Sequence, residues 1–441
     1  MPPRRVRAAP PRESPPRSAP RGPTAGLSGV PCGIPASRPV TLAAYRDLFD
    51  LPPETAYLDH AAQGVLGRPA RDAAVHALDG HAGRIPGESP NGFPADLARI
   101  DRLRARAARL LNAPLPNVEV VPNTSAGINW IAQGLDWRPG DRVAVPACEF
   151  PTNHLPWRAL AARGVAVDRV PAPGGTFTPE ALDAAITPRT RVVSVSWVQF
   201  LSGFRCDLAA IRDVCDARGV WFVVDAIQGV GALRFDAAAV RPDLVVAGGH
   251  KWLCGMHGLG VAAVSERLME RLVPVRGWLN GPIDWDDFDA VTDDLHPDAT
   301  RFRTGTLPVA QTCALDASIG AMLDVGPDTI ETAVLGHART LADGLDALGL
   351  RRYGSPDPAR ASGIVTVEPD EPEALLAHLA ARGVHAALRS RKLRFSPHAH
   401  TRAADVERAL DAVATFARPA SAPAAGAPAA STPAARAAVP A

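Results

Sequence analysis

Gly248-Gly249-His250-Lys251-Trp252 is the stretch around which the rest of this 441-residue chain is interpreted. The chain holds 47 lysines plus arginines, yet only Lys251 and Lys392 are lysines. Lysine can lose its proton and condense with an aldehyde, whereas arginine stays protonated. A rare lysine after the strand-like run 243–247 and beside a histidine therefore indicates a Schiff-base residue. A surface lysine in a glycine-rich turn is the alternative that this stretch alone leaves open, and Lys392 is interpreted as surface charge.

Composition excludes several classes of function. The net charge is +1, so no strong field favours nucleic acid or a membrane surface. No apolar run approaches the roughly 18–20 residues that cross a bilayer. The six cysteines show no CxxC or paired spacing, which favours a reducing compartment over a disulfide framework or a zinc site. The sequence thus predicts a cytoplasmic protein with no metal centre, no membrane span and no nucleic-acid partner.

The two ends of the chain differ in composition from its middle. Residues 1–38 are rich in proline and arginine, and residues 418–441 in alanine and proline. Neither segment holds enough apolar side chains to form a core, so both are predicted to be disordered. A basic arm that binds nucleic acid is the alternative for residues 1–38.

Strand-like and helical runs alternate between these ends. The strand-like runs are 118–121, 142–146, 165–170, 191–197, 220–225, 243–247 and 259–264. Their alternation with helical runs predicts an α/β fold with a mainly parallel seven-stranded sheet. From about residue 308 the helical runs lengthen, and short strand-like runs follow near 363–368 and 392–396. We therefore predict a large domain over 39–305 and a smaller C-terminal α+β domain over 306–417.

Asp225 ends one of the apolar runs of the predicted sheet. In open parallel sheets, ligands gather at the carboxyl ends of strands. A carboxylate there can pair with a protonated ring nitrogen, which a pyridine cofactor needs in order to store electrons. Gln228 follows at a spacing that lets it donate a hydrogen bond to a phenolic oxygen. Asp225 could instead stabilise a turn or cap a helix. This alternative is less favoured because Lys251 follows soon after Asp225 in the sequence.

The segment 122–127 connects a predicted strand to a predicted helix. We predict that Thr124 or Ser125 caps this helix, whose free N–H groups and dipole favour a phosphate. A plain helix cap is the alternative, because such turns are common. A phosphate turn, a pyridinium partner and an imine-forming lysine, in this order, together specify pyridoxal 5'-phosphate (PLP).

With these residues, the chain resembles the class V aminotransferase family of fold-type-I PLP-dependent enzymes, which includes cysteine desulfurases and isopenicillin N epimerase-like proteins. The resemblance covers about residues 55–415. Its motifs are Tyr57-Leu58-Asp59-His60-Ala61-Ala62, Asn123-Thr124-Ser125-Ala126-Gly127-Ile128-Asn129, Glu149-Phe150-Pro151-Thr152-Asn153, Asp225-Ala226-Ile227-Gln228, His250-Lys251-Trp252 and Arg303-Thr304-Gly305-Thr306. It implies the fold-type-I transferase fold, PLP as cofactor, and a homodimer with shared active sites.

The resemblance also implies a role for each matching residue. Lys251 and Asp225 are the implied catalytic residues, with Lys251 bonded to the cofactor and Asp225 paired with its ring nitrogen. The implied cofactor-binding residues are Thr124, Ser125, Ala126, Phe150, Gln199, Asp225, Gln228, His250, Lys251 and Thr306, the last reaching the cofactor of the other subunit. The implied substrate-binding residues are His60, Ala61 and Arg394. Arg394 would grip the α-carboxylate with its two-donor fork.

Three departures from the family pattern bear on the reaction. Gly248 stands where many relatives have a phosphate-binding serine. Phe200 stands where desulfurases often have an asparagine, so the neighbouring Gln199 is the expected substitute. The segment 384–391 runs straight through the place of the cysteine-bearing loop of desulfurases. We expect Cys254 to pack in the core rather than to act as a nucleophile.

The resulting prediction is an enzyme that acts on a small-molecule α-amino acid by forming a Schiff base with PLP and removing the α-proton. Our best interpretation is β-elimination of the C–S lyase type without a persulfide cysteine. An aminotransferase or an amino-acid epimerase of the same family is the alternative. A non-catalytic protein with this fold is less favoured, because Asp225, Lys251 and Arg394 are all present.

Overall fold

The computed structural model of the protein describes residues 40–85 and 92–417. The disorder predicted for residues 1–38 and 418–441 concerns segments outside the described residues. None of the helices in the described part of the chain is long and apolar enough to cross a membrane.

Twelve strands are formed within residues 40–85 and 92–417. They are β1 (Ala56–Tyr57), β2 (Val118–Val121), β3 (Arg142–Pro146), β4 (Ala166–Val170), β5 (Thr190–Ser196), β6 (Trp221–Asp225), β7 (Leu244–Gly248), β8 (Gly260–Val264), β9 (Val365–Val367), β10 (Val384–His385), β11 (Ala387–Arg389) and β12 (Lys392–Phe395).

Thirteen α-helices accompany these strands in the same part of the chain. They are α1 (Leu42–Arg46), α2 (Arg68–His81), α3 (Phe93–Leu111), α4 (Thr124–Gly134), α5 (Leu155–Arg158), α6 (Pro179–Ala185), α7 (Leu208–Arg218), α8 (Ala237–Val240), α9 (Glu266–Met269), α10 (Val309–Val325), α11 (Pro327–Ala347), α12 (Pro372–Ala380) and α13 (Ala403–Ala417).

A seven-stranded sheet with the order β2-β8-β7-β6-β5-β3-β4 forms the centre of the fold. The pairs β4–β3, β3–β5, β5–β6 and β6–β7 are parallel, and β8 is antiparallel to both β7 and β2. The sheet is thus mainly parallel, and the predicted α/β fold of fold type I is confirmed. Apart from the edge strand β4, the strands are almost entirely buried because helices cover both faces, as parallel sheets require.

Neighbouring residues of one strand face two different hydrophobic cores. In β6, Phe222 and Val224 pack into one core, and Val223 packs into the other. This period of two fixes the register, since a slip by one residue would exchange the faces. Register pairs Asp225 with Val246, so the carboxyl ends of β6 and β7 lie side by side. Asp225 and the segment after Gly248 are thereby brought to the same edge of the sheet.

A second, three-stranded antiparallel sheet has the order β11-β12-β9. Its apolar side packs with α11, α12 and α13 around a separate core that includes Leu341, Leu393 and Phe395. The segment before the large sheet also takes part, because β1 pairs with β10 and Asp59 bridges to Ser396. The described residues belong to a single compact unit, so the boundary proposed between residues 305 and 306 stays a prediction.

Buried histidines connect this second sheet to the Lys251 segment. The ring of His398 donates from Nε2 to the Trp252 carbonyl oxygen at 3.0 Å. His60 donates from Nδ1 to the Ser396 carbonyl oxygen, so its Nε2 is left to accept from His400 Nε2 at 2.8 Å. The pKa values of His60 and His400 lie well below the usual value for histidine, and the pKa of His398 is lowered to about 4. Burial is the main cause in all three cases. These rings are therefore neutral near pH 7.

Gly64 lies where the chain passes closest to the lysine backbone. Its N–H donates to the His250 carbonyl oxygen at 2.8 Å, and a Cβ added to it would lie 2.0 Å from the Lys251 carbonyl oxygen. Glycine is required here by close approach rather than by an unusual backbone angle.

We predict that Gly64→Ala lowers the free energy of unfolding by about 1–3 kcal/mol, the range typical of overpacking, because the backbone of Lys251 must move. Gly336→Ala is the matched control: Gly336 lies in α11, and a Cβ there would meet nothing within 4 Å. That control should be neutral or stabilising by up to about 1 kcal/mol, since alanine favours helix. Urea denaturation measures the free energy of unfolding of both variants. Equal values for Gly64→Ala and Gly336→Ala would contradict the packing argument.

We also predict that burial of His398 contributes a loss of stability as the pH falls from about 6.5 towards about 4. The unfolded chain binds protons at its histidines near pH 6.5, whereas the folded chain resists protonation of His398 until about pH 4, so acid favours unfolding. His398→Gln should flatten this dependence by roughly 1–3 kcal/mol. The exposed His385→Gln serves as control, and denaturation midpoints near pH 7.5 and about pH 5 are the measurement. An unchanged slope in His398→Gln would remove that histidine from the explanation.

Candidate active site

A cavity of about 400 Å³ opens at the carboxyl ends of β6 and β7. It is lined by Ala61, Ala62, Asn123, Thr124, Ser125, Phe150, Thr152, Ser196, Phe200, Asp225, Ile227, Gln228, His250, Lys251, Arg389 and Arg394. Most of the site residues expected from the sequence are thus brought together. A cavity of about 470 Å³ lies at the opposite ends of these strands, but its Arg212, Asp243 and Arg267 pair with one another.

Asp225 is a buried carboxylate at the end of β6. Its Oδ1 accepts a hydrogen bond from the Ile227 N–H at 3.0 Å. The pKa of Asp225 is raised to about 7, mainly by burial and in a smaller part by the nearby Glu149, while the Ile227 N–H and Lys251 oppose this change. A buried carboxylate whose charge is costly can be stabilised by a cation, and a protonated ring nitrogen is such a cation.

Lys251 follows β7 and points into the same cavity. Burial lowers its pKa to about 8, because the ammonium form loses hydration, and Arg394 and Arg389 also lower it. The carboxylates of Asp225 and Asp59 act in the opposite direction. Its Nζ lies 5.7 Å from the centre of the Phe150 ring. A lysine with this pKa is partly neutral near pH 7–8, which suits both imine formation and proton transfer.

The turn before α4 has a different cap from the one that the sequence predicted. Neither Thr124 nor Ser125 caps the helix; Asn123 does, since its backbone is extended and its Oδ1 accepts from the Ala126 N–H at 2.9 Å. The predicted cap was therefore wrong. Ser125 Oγ instead lies 3.0 Å from Thr152 Oγ1.

This arrangement leaves hydrogen-bonding capacity for an anion. Thr124 Oγ1 is buried and has no hydrogen-bond partner within residues 40–85 and 92–417. Gly248 keeps the space beside it open, since a Cβ at that glycine would lie 3.3 Å from Thr124 Oγ1. An orphaned buried hydroxyl at the N-terminus of an eleven-residue helix fits a phosphate group.

His250 also lines the cavity, beside the expected phosphate position. Its ring stacks on His257 with centroids 4.6 Å apart. Burial, together with the nearby Lys251 and His257, lowers the pKa of His250 to about 4, so the ring is neutral near pH 7. A neutral imidazole can still donate one hydrogen bond to an anion.

Gln228 and Arg394 are each fixed by partners on neighbouring segments. Gln228 donates from Nε2 to the Ala61 carbonyl oxygen at 3.0 Å and accepts from Trp252 Nε1 at 2.8 Å, which leaves one amide hydrogen for a ligand. Arg394 donates to the Phe200 carbonyl oxygen at 2.7 Å and to Asp59 at 3.2 Å. Its buried Nε has no partner among the described residues, so the guanidinium retains donors for a carboxylate.

Four expected site residues do not line this cavity. His60 is buried behind Ala61 in the histidine cluster, and the Ala126 N–H is used by the Asn123 cap. Gln199 donates to Glu149 at 2.7 Å, so it does not take the place of the missing asparagine. Thr306 is exposed. The direct roles expected for His60, Ala126 and Gln199 stay predictions that the lining of this cavity does not support.

Glu149 is a functional candidate that the sequence did not single out. It is buried behind the cavity, where it accepts from the Ser196 N–H at 2.6 Å and from the Ser196 hydroxyl. Burial raises its pKa, and its charge in turn raises the pKa of Asp225. The sequence did contain one signal for this residue: Glu149 is an acidic residue in the apolar segment that follows β3. A carboxylate that is buried in such a segment needs hydrogen-bond partners, because burying it without them is costly.

Comparison with known proteins agrees with this site. The family model for aminotransferase class-V matches residues 56–390. A probable cysteine desulfurase from Methanothermobacter thermautotrophicus is 31% identical over 264 residues, which are 58% of this chain and 64% of that protein. The chain thus spans less than two thirds of the length of that relative. A probable cysteine desulfurase from Pseudomonas aeruginosa is 30% identical over 325 residues, covering 69% of this chain and 77% of that protein.

Solved structures share the fold at lower identity. A lysine-to-alanine mutant of C-DES, with glycine covalently linked to its PLP cofactor, has a TM-score of 0.77 and 22% identity, covering 84% of this chain and 98% of that one. The cysteine desulfurase CsdA from Escherichia coli has a TM-score of 0.75 and 23% identity, and the match covers 86% of this chain and 98% of that one.

The match of the family model extends over more than half of the sequence and includes the cavity residues from Ala61 to Arg389. The fold agrees with solved PLP enzymes, and the orphaned Thr124 hydroxyl, Asp225 and Lys251 suit the phosphate, ring nitrogen and aldehyde of this cofactor. The chain belongs to the class-V aminotransferase family and is a PLP-dependent enzyme.

Proposed function

We propose that the protein is a β-lyase that removes a sulfur substituent from the β-carbon of an α-amino acid, without forming a persulfide on a cysteine. The observation that carries this proposal is the wall of the cavity at residues 387–395. A tight antiparallel hairpin, β11–β12, stands there and contributes Arg389 and Arg394 to the lining. No cysteine is among the described residues that line the cavity.

The cysteines of the described chain are poor candidates for sulfur transfer. Five unpaired thiols occur within residues 40–85 and 92–417: Cys148, Cys206, Cys215, Cys254 and Cys313. Cys254 follows Lys251 most closely, but it is fully buried, and burial raises its pKa to about 12. Since the thiolate is the reactive form, this thiol is inert near pH 7. Its packing in the core agrees with the expectation from the sequence.

PLP, when bound, supplies an aldehyde that captures the substrate amine and a ring that stores the electron pair left by the α-proton. Arg394 binds the α-carboxylate and orients the substrate. Lys251 takes the proton from Cα, because its lowered pKa leaves part of it neutral. Asp225 holds its negative charge beside the ring nitrogen, and Phe150 offers an aromatic face. Thr124, Ser125 and His250 hold the phosphate.

The β-elimination balances without any redox partner. The Cα–H and Cβ–S bonds break, the substituent leaves as a thiolate that takes up a proton, and water releases the remainder as pyruvate and ammonia. One solved structure of similar fold, at a TM-score of 0.76 and 23% identity, is a complex of the cystine C-S lyase C-DES with its reaction product cysteine persulfide. The reaction product named for that enzyme, cysteine persulfide, is a small molecule.

The proposal includes a homodimer and a reducing, cytoplasmic environment for the five unpaired thiols. Thr306 is exposed in the single chain, and exposed aromatic side chains lie nearby in sequence, with Trp278, Trp285 and Phe288 about half or more exposed. Trp278 lies against Gly305, so this apolar surface continues to the Thr306 segment. We propose that a second copy covers this surface and that Thr306 reaches the cofactor of that copy, as the family resemblance implies.

We predict that cysteine S-conjugates yield equal amounts of pyruvate, ammonia and thiol with the purified holoenzyme. Lys251→Ala should lower this rate by about 10²–10⁴-fold or more, the contribution of a general base, while circular dichroism shows an intact fold. Borohydride should fix the cofactor to Lys251, as peptide mass spectrometry would show, and Lys392→Ala is the matched control. Label on Lys392, or amino transfer to an added keto acid without release of thiol, would contradict the proposal.

We predict that L-cysteine leaves no persulfide on the protein. Cys254→Ser should keep turnover within a few-fold of the original enzyme, because the buried thiol does not reach the substrate. Mass spectrometry of the unreduced protein is the measurement, with a thermal unfolding scan to check the fold of the variant. A persulfide on Cys254 that disappears together with activity in Cys254→Ser would restore the desulfurase interpretation.

A further inference from the structure

The hairpin that walls the cavity holds its residues in a fixed register. Strands β11 and β12 pair Arg389 with Lys392, Leu388 with Leu393 and Ala387 with Arg394. Only Ser390 and Arg391 connect the strands, with φ values of 49° and 58°. Two central residues with positive φ are typical of the type I′ turn, which matches the twist of a two-residue hairpin. The wall is therefore short and has little freedom to change register.

This register places Arg389 and Arg394 on the same face of the hairpin. Side chains alternate along a strand, so Leu388 and Leu393 face the opposite side, where Leu393 is buried in the core of the second sheet. Arg389 lies opposite Lys392 and is therefore the diagonal neighbour of Arg394. Diagonal positions in an antiparallel pair are roughly 7–8 Å apart. Two guanidinium groups thus enter one cavity from adjacent positions.

Arg389 is the cation of this hairpin that lacks a carboxylate partner. Arg391 pairs with Glu373 at 3.1 Å, Lys392 with Glu368 at 3.2 Å, and Arg394 with Asp59 at 3.2 Å. Within residues 40–85 and 92–417, no carboxylate oxygen lies within 4.0 Å of the Arg389 guanidinium, which donates to the Leu388 carbonyl oxygen at 2.8 Å. Most of its donors remain available to a ligand.

The positive charge of Arg389 influences the ionisable groups of the cavity. It lowers the pKa of Lys251 and Asp59, and it opposes the charge of Arg394. The anions already assigned to the cavity are the cofactor phosphate near Thr124 and the substrate α-carboxylate at Arg394. Neither assignment uses Arg389. Phe150 and Phe200, whose rings meet edge to face at 5.2 Å, line the same cavity and can cover an aliphatic chain.

We propose that Arg389 binds a second anionic group of the substrate, so that the enzyme prefers cysteine S-conjugates whose sulfur substituent ends in a carboxylate or another small oxyanion. The inference rests on the proposed β-elimination and names the substrate class for it. Arg394 fixes the α-carboxylate, Lys251 faces Cα, and the substituent extends past the phenylalanine pair to the uncommitted guanidinium.

A matched pair of substrates tests this recognition. S-carboxymethyl-L-cysteine and S-carbamoylmethyl-L-cysteine have nearly the same shape and differ in the charge at the end of the substituent. The holoenzyme should have a higher kcat/KM for the carboxymethyl compound, measured by release of pyruvate. Arg389→Gln should lower that kcat/KM roughly 10- to 100-fold, the effect of one hydrogen bond to a charged group, and leave the carbamoylmethyl compound nearly unchanged.

The controls separate recognition by Arg389 from general effects. Arg391→Gln removes a positive charge from the same turn but outside the cavity, and it should leave the preference intact. Arg389→Lys keeps the charge and should retain part of the preference. Equal losses for both compounds in Arg389→Gln would mean that Arg389 shares the α-carboxylate, and an unchanged ratio would mean that it does not touch the substrate. Either result overturns the proposal.

Failure of the elimination itself would appear differently. If neither compound gives pyruvate with the original enzyme, the proposed reaction is wrong. Dissociation constants from isothermal calorimetry of the same two compounds then decide the role of Arg389. Tighter binding of the carboxymethyl compound that Arg389→Gln abolishes supports the second anion site, and equal constants for the two compounds overturn it.

Discussion

The burial of Asp225 and Lys251 in one cavity is the constraint on which the site depends. Each group loses hydration, so burial pushes the carboxylate and the amine towards their neutral forms, while each charge favours the charged form of the other. Such a pair is costly in a protein interior unless further partners complete it. The parallel register of β6 and β7 holds the two groups together, and a cofactor that bonds to one and pairs with the other completes them.

Much of the fold could be predicted because its signals are local. Apolar runs such as 221–225 and 244–248 have the length of buried strands, and their alternation with helical runs specifies parallel pairing. The same locality identified Lys251, since a rare residue type after a buried strand is visible in the sequence alone. These predictions needed no knowledge of distant contacts.

The remaining features depend on contacts between distant segments. Asn123, Thr124 and Ser125 can all cap a helix, and the backbone angles set by packing selected Asn123. His60 is removed from the cavity by Ser396 and His400, more than 330 residues away along the chain. Gln199 is held by Glu149, whose importance appears only when its buried partners are known. Propensity cannot choose among such partners.

The scarcity of lysine simplifies reconstitution of the apoprotein. Free PLP condenses with any accessible amine, so a lysine-rich enzyme accumulates cofactor at unintended sites. Here the second lysine, Lys392, is held by Glu368 and lies over the Tyr353 ring at 4.6 Å, and its side chain is only 19% exposed. Apart from the α-amino group, Lys251 is thus the amine best placed to react. Loading should approach one cofactor per chain, and the occupancy of the site should follow directly from the amount of PLP that the protein retains.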